Sequence, residues 1–186
     1  LIRQAKQRGV HVTCEVTPHH LALTDEAVRG FNTLAKVNPP LRTEQDRLAL
    51  IEGLKDGTID CIATDHAPHT AWEKDADFDS APFGIAGLET ALGVCATALI
   101  GPKHLTWSQL ADRLGPAPAH IAGLTDHGLA PGRAAHLAIV DPAAAWTVDP
   151  ASFASRSKRS PFAGHRLTGK VAAVIRHGVV MWDANA

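Results

Sequence analysis

The run Ile59-Asp60-Cys61-Ile62-Ala63-Thr64 is short, mostly apolar, and passes straight into Asp65 and His66. Such a run reads as a strand buried on both faces of a parallel sheet, and a parallel sheet needs helical crossovers. The flanking sequence supplies one. Residues 44–55 carry Leu48, Ile51 and Leu54 at helical spacing, with Thr43 as N-cap and Asp56-Gly57 as the stop. Before that helix, residues 10–17 alternate, are rich in β-formers, and end at Pro18. Between the two lie a short helix predicted over residues 24–28 and an extended run over 34–38, closed by Pro39-Pro40.

After the apolar strand comes a long loop, residues 65–82, of a length that is usually functional or mobile. Helices are predicted over 87–99, 106–114 and 118–123. From about residue 128 the texture changes to strands, at 135–140, 145–148 and 171–175. His177-Gly178 then turns the chain into a hairpin strand over 179–182. The expectation is an α/β protein: the C-terminal part of a (β/α)8 barrel over residues 1–127, with an appended small β-sandwich domain over 128–186. A complete barrel takes about 250 residues, so this chain has room for two or three of its strands. The opening agrees, because Leu1, Ile2 and Ala5 fall on one face of what reads as the last turns of a longer helix, stopped by Gly9. A C-terminal fragment is therefore expected.

Composition narrows the function classes. A formal net charge of -1 over 186 residues gives no cationic surplus to replace phosphate counterions, which argues against a nucleic-acid binder. No apolar run reaches the roughly 18 residues of a membrane span, and the charged opening carries no apolar signal core. Cys14, Cys61 and Cys95 form no Cys-x-x-Cys clip and sit in apolar surroundings, which reads as free thiols in a reducing cytoplasm.

In barrels of this kind the C-terminal ends of the strands carry the chemistry. Three segments end that way: Thr17-Pro18-His19-His20, Lys36-Val37-Asn38-Pro39-Pro40 and Thr64-Asp65-His66-Ala67-Pro68-His69. Asp65 fits a metal ligand or a base, and equally a helix cap or a loop acceptor. His66 and His69 fit loop hydrogen-bonders as well as ligands. His19 and His20 are adjacent and point different ways, so at most one could face a metal. Asn38 could simply satisfy a turn.

Taken together these motifs resemble the dihydroorotases of the bacterial class I type, within the metal-dependent amidohydrolase superfamily. The resemblance rests on Cys14-Glu15-Val16-Thr17-Pro18-His19-His20-Leu21 and Lys36-Val37-Asn38-Pro39-Pro40-Leu41-Arg42, then on residues 62–69 and on Ala81-Pro82-Phe83-Gly84-Ile85-Ala86-Gly87-Leu88-Glu89-Thr90. Ser160-Pro161-Phe162-Ala163-Gly164 and Leu167-Thr168-Gly169-Lys170-Val171 extend it. It implies zinc-dependent, reversible cyclisation of carbamoyl-aspartate to dihydroorotate, in pyrimidine biosynthesis, in a cytoplasmic enzyme. It also implies a binuclear Zn²⁺ centre of which only Asp65 lies in this chain, as ligand and proton shuttle. Asn38, His69, Phe83 and Gly84 match substrate-contacting positions, while His19 and His20 match no zinc ligand and read as packing groups or as groups that support the site from below. Arg42 reads as structural. His136 stands where relatives usually have Asp, in the β-rich part.

Two neighbouring readings remain open. Dihydropyrimidinases and allantoinases share the barrel, and Asn38 with His69 favours dihydroorotase over them. A non-catalytic dihydroorotase-like subunit that supports aspartate transcarbamoylase is the other; intact Asp65, Asn38 and His69 argue against it. A homodimer or that transcarbamoylase are the expected protein partners.

Overall fold

The computed structural model describes residues 1–124 and 128–184. The expected domain boundary at 127/128 falls at residues 125–127, outside the described residues. Two parallel strands, β1 (Glu15–Val16) and β2 (Cys61–Ile62), pair with Glu15 opposite Cys61 and Val16 opposite Ile62. Between them run α2 (Pro18–Ala22) and α3 (Glu44–Lys55). This is the anticipated strand–helix–strand unit. Thr43 caps α3 as expected, in a capping box with Asp46.

The strands are shorter than the alternation implies. Each has one laddered neighbour among the described residues. Beyond the two paired positions, contact continues only as single bonds, Asp60 N to Cys14 O and Ala63 N to Val16 O, both within 3.0 Å. The Asp60 carboxylate also accepts the Cys14 N–H, so a side chain stands in for a rung at the strand's entry.

Behind the strands, α5 (Ala91–Cys95) runs into a π-helical turn at Ala96–Ile100, and α6 (Trp107–Leu114) follows. Val16, Leu21, Ile51, Leu54, Ile62, Cys95, Leu99 and Leu110 close one apolar core between these helices and the strand pair. The helix expected over 87–99 starts later than the periodicity implies. The helix begins at Ala91, and ahead of it the Gly87 and Leu88 N–H groups donate to the His66 imidazole. Residues 24–28 form a single 3₁₀ turn, Asp25–Val28, and Thr33–Ala35 another, before the chain extends at Lys36. The helix placed at 118–123 lies at Pro116–Ile121 (α7). The remaining helices are α1 (Ile2–Gln7) and α4 (Ala71–Lys74), the latter inside the expected loop.

The C-terminal region is one antiparallel sheet, ordered β3 (Leu137–Thr147), β4 (Arg166–Arg176), β5 (Val179–Asp183). The two strands expected at 135–140 and 145–148 are one, interrupted by an irregularity between Asp141 and Ala145. There the Asp141 carboxylate accepts the Ala143 and Ala144 N–H groups. The sheet is a single layer among the described residues, not the two layers of a sandwich. Its β5 leaves Val179, Val180, Met181 and Trp182 exposed. The sheet leans on the helical part through Val94, Val148, Phe153, Phe162 and Leu167.

Candidate active site

Three segments meet beyond the carboxyl ends of β1 and β2: residues 36–39, 64–69 and 83–88. Main-chain bonds tie them in sequence. Gly84 N donates to Lys36 O at 3.0 Å, and Ala67 N donates to Ile85 O at 2.9 Å. His66 and Ile85 form a parallel bridge that continues the sheet by one residue.

Asp65 stands at the head of the middle segment with φ 47, in the left-handed region. Aspartate tolerates that region better than most residues, and an over-determined φ of this kind is typical of functional turns. The carboxylate is exposed and receives no hydrogen bond among the described residues. It therefore caps no helix and satisfies no loop. The next residue is structural. His66 Nδ1 accepts from Gly87 N at 3.1 Å and Leu88 N at 3.2 Å, which leaves its proton on Nε2.

His69 lies one turn on. Its Nε2 is 3.0 Å from Phe83 O, and its Nδ1 is 3.7 Å from the Glu73 carboxylate. Glu73 is held below the usual carboxylate range by the Thr70 hydroxyl and N–H it accepts. Gly84 is required where it stands. Its φ is 138, and a Cβ there would lie 2.6 Å from Ala67 O and 3.2 Å from the His69 ring. Of the four main-chain groups of Phe83 and Gly84, two are engaged, by His69 and Lys36. The Phe83 N–H and the Gly84 C=O take part in no described hydrogen bond. One donor and one acceptor are thus available to a ring amide.

Asn38 follows Lys36 by two residues and joins Pro39 through a cis peptide bond. His20 fixes this turn: its Nδ1 pairs with the Thr17 hydroxyl at 2.7 Å and its Nε2 reaches Pro39 O at 3.0 Å. His19 packs away from the site, 2% exposed, with Nε2 unpartnered; burial pushes its pKa down to about 3. His19 is thus a packing group, while His20 supports the turn through both ring nitrogens. Arg42 pairs at the surface with Asp46, 3.8 Å away.

The five residues singled out from the sequence, Asp65, Asn38, His69, Phe83 and Gly84, lie on these three segments, with His69 in direct contact with Phe83 O. Two residues missed by sequence reasoning lie beside them. Lys36 and Lys74 are 8% and 5% exposed, and both ammonium groups point at loop carbonyls. The only hint in the sequence is a lysine inside the apolar run Leu34-Ala35-Lys36-Val37.

Among the described residues no three His, Cys, Asp or Glu side chains stand close enough to hold a metal ion. A zinc centre needs three or more protein ligands. This chain alone offers Asp65, so by itself it does not fit a binuclear centre. None of its described helices is long and apolar enough to cross a membrane.

Comparison with known proteins matches this architecture. The profile of the amidohydrolase family covers residues 1–181. The chain is 53% identical over 181 residues to a dihydroorotase of Acetivibrio thermocellus, covering 97% of this chain and 42% of that protein. It is 51% identical over 173 residues to a dihydroorotase of Streptomyces coelicolor, covering 92% and 40%. An L-hydantoinase (dihydropyrimidinase) from Arthrobacter aurescens superposes with a TM-score of 0.92 at 31% identity, over 98% of this chain and 42% of that one. A D-hydantoinase from a Thermus species gives a TM-score of 0.90 at 24% identity, over 100% and 42%, a likeness of fold. The chain thus spans less than half the length of the relatives it matches.

Proposed function

The chain belongs to the amidohydrolase family, and from that premise we propose that it is the C-terminal portion of a dihydroorotase. In this reading β1 and β2 are strands of a (β/α)8 barrel completed by the rest of a longer protein, and residues 128–186 are one layer of a β-rich domain packed against it. The observation that carries the proposal is the unpaired Asp65 carboxylate beside an amide-complementary pair, the Phe83 N–H and Gly84 C=O. Identity above 50% to dihydroorotases supports it.

Asp65 accepts the proton of the water that attacks the ring carbonyl and returns it to the leaving ring nitrogen. In the cyclising direction the same carboxylate carries the proton the other way. Asn38 offers one donor and one acceptor to the ring edge. His69 binds the substrate carboxylate, exchanging its contact with Phe83 O for that anion. Asp65 would be one ligand of a binuclear Zn²⁺ centre whose other ligands lie outside this chain; bound zinc supplies Lewis acidity and lowers the pKa of water toward neutrality. Dihydroorotate and carbamoyl-aspartate are the small-molecule partners. A second copy or an aspartate transcarbamoylase is the protein partner, checked by co-elution. The free, buried Cys61 and Cys95 fit a cytoplasmic location.

The superposition on a hydantoinase favours one second reading, a cyclic amidohydrolase acting on another ring. The test is turnover by a full-length protein carrying this chain, offered dihydroorotate, hydantoin and allantoin. Preference for dihydroorotate upholds the proposal; preference for either other ring replaces it with the second reading.

A further inference from the structure

Residues 75–82 run from the end of α4 to the substrate segment without a ladder of their own. Two turn bonds, Ser80 N and Ala81 N to Asp77 O, are their described main-chain bonds besides Asp75 N to Ala71 O. The buried Ala81 carbonyl and its part-buried neighbours find donors elsewhere, because a buried acceptor left unpaired is costly. The donors are two ammonium groups. Lys36 Nζ lies 2.5 Å from Phe78 O, 3.1 Å from Asp79 O and 2.7 Å from Ala81 O. Lys74 Nζ lies 3.1 Å from Thr33 O and 2.8 Å from Pro82 O, and the Thr33 hydroxyl returns a bond to Lys74 O.

An ammonium has three N–H donors and no acceptor, so one lysine can saturate three converging carbonyls. The rings of Phe78 and Phe83 close over the same charge, with centroids 5.2 and 4.7 Å from Lys36 Nζ. No carboxylate lies within ion-pair distance of either lysine among the described residues. The carbonyl dipoles and ring faces alone compensate the charge, which ties the loop's shape to the position of that nitrogen. The main chain of the same residue completes the link, since Lys36 O receives Gly84 N. Lys36 therefore holds the loop from both ends: its side chain gathers residues 78–81, and its backbone holds Gly84. Asn38 is two residues away on the same extended stretch.

We propose that Lys36 is a positioning residue that folds the 78–84 loop around its ammonium, sets Phe83 and Gly84 opposite Asn38, and thereby governs substrate affinity and not the proton-transfer step. The proposal rests on the dihydroorotase reading only for the identity of the ring. Lys36 touches none of the reacting atoms. Its effect passes through the loop, so it should weigh on ground-state and transition-state binding alike.

The test is Lys36→Met in the full-length, zinc-loaded protein, read by two measurements. Michaelis kinetics on dihydroorotate should show KM raised about 10-fold or more with kcat within about threefold of wild type, the signature of lost uniform binding. Amide hydrogen exchange should show residues 78–84 opening about 10-fold faster or more, with α3 and β4 unchanged. An unchanged KM, a fall in kcat at constant KM, or unaltered exchange at 78–84 each overturns the proposal. If Lys36→Met does not fold, Lys36→Gln, which keeps two donors but no charge, is read by the same criteria. If the wild-type protein prefers hydantoin, the dihydroorotase reading fails, and the same KM split is measured on hydantoin; loop exchange judges the clamp independently of any substrate.

Discussion

A histidine sealed inside an apolar layer stays neutral, and His19 is that residue. Its ordinary pKa near 6.5 falls to about 3 in the fold, because burial penalises the imidazolium and His20 stands beside it. The unfolded chain takes up this proton below about pH 6.5, and the native chain only near 3. The contribution is therefore complete above pH 6.5 and is lost as pH falls toward 3. By pH 4 the loss amounts to about 3 kcal/mol, at 1.36 kcal/mol per unit. Urea midpoints measured from pH 7 to pH 4 should fall accordingly, and His19→Leu should flatten that slope; an unaltered slope in the variant would assign the acid sensitivity to other groups. Gly84 presents the opposite case, a residue defined by what it lacks. Gly84→Ala places a methyl 2.6 Å from Ala67 O at a φ of 138, so the segment has to move. We expect kcat/KM in the full-length protein to drop by about 10-fold or more, a misplacement effect; an unchanged kcat/KM would mean that the segment absorbs the methyl without moving its polar groups.

At the level of elements, local chemistry that the sequence states outright is the chemistry the structure keeps. Thr43 caps α3 as its residue type signals, in a capping box with Asp46, and Thr106 caps α6 with Gln109 in the same way. Thr43→Ala should lower stability by about 1 kcal/mol, seen as a shifted thermal midpoint; no shift would mean that packing of Ile51 and Leu54 alone sets the helix start. The elements whose bounds differ from expectation depend on partners far along the chain. The stretch ahead of α5 is held by His66, more than twenty residues earlier, and the union of two expected strands into β3 is decided by pairing with β4. Alternation over residues 10–17 is real, but among the described residues only Glu15 and Val16 find laddered partners, in β2. The positions proposed to meet substrate, Asn38, His69, Phe83 and Gly84, come from motif order, and the structure adds the main-chain ties between their segments. The two buried lysines are not legible in the sequence, since a charge is ordinarily solvated and only the loop's unpaired carbonyls reveal why these are inside.

For the whole molecule, the parallel pair has open edges and the C-terminal sheet is one layer with an exposed apolar strand. Among the described residues no group of three or more His, Cys, Asp or Glu side chains could hold a metal ion. The 186-residue polypeptide alone should accordingly show no dihydroorotate turnover with added zinc; measurable turnover would mean that one carboxylate and its neighbours suffice. The proposed chemistry turns on the Asp65 carboxylate, which folding leaves unpaired and which proton transfer can use. No described group donates to it, so neutralising it should cost little stability. Asp65→Asn in the full-length, zinc-loaded protein, assayed in both directions at neutral pH, is the most direct measurement. A fall in kcat of about 100-fold or more, the scale of a lost general base, with a thermal midpoint near wild type, is the expected result; dihydroorotate opened at the wild-type rate would contradict the assignment.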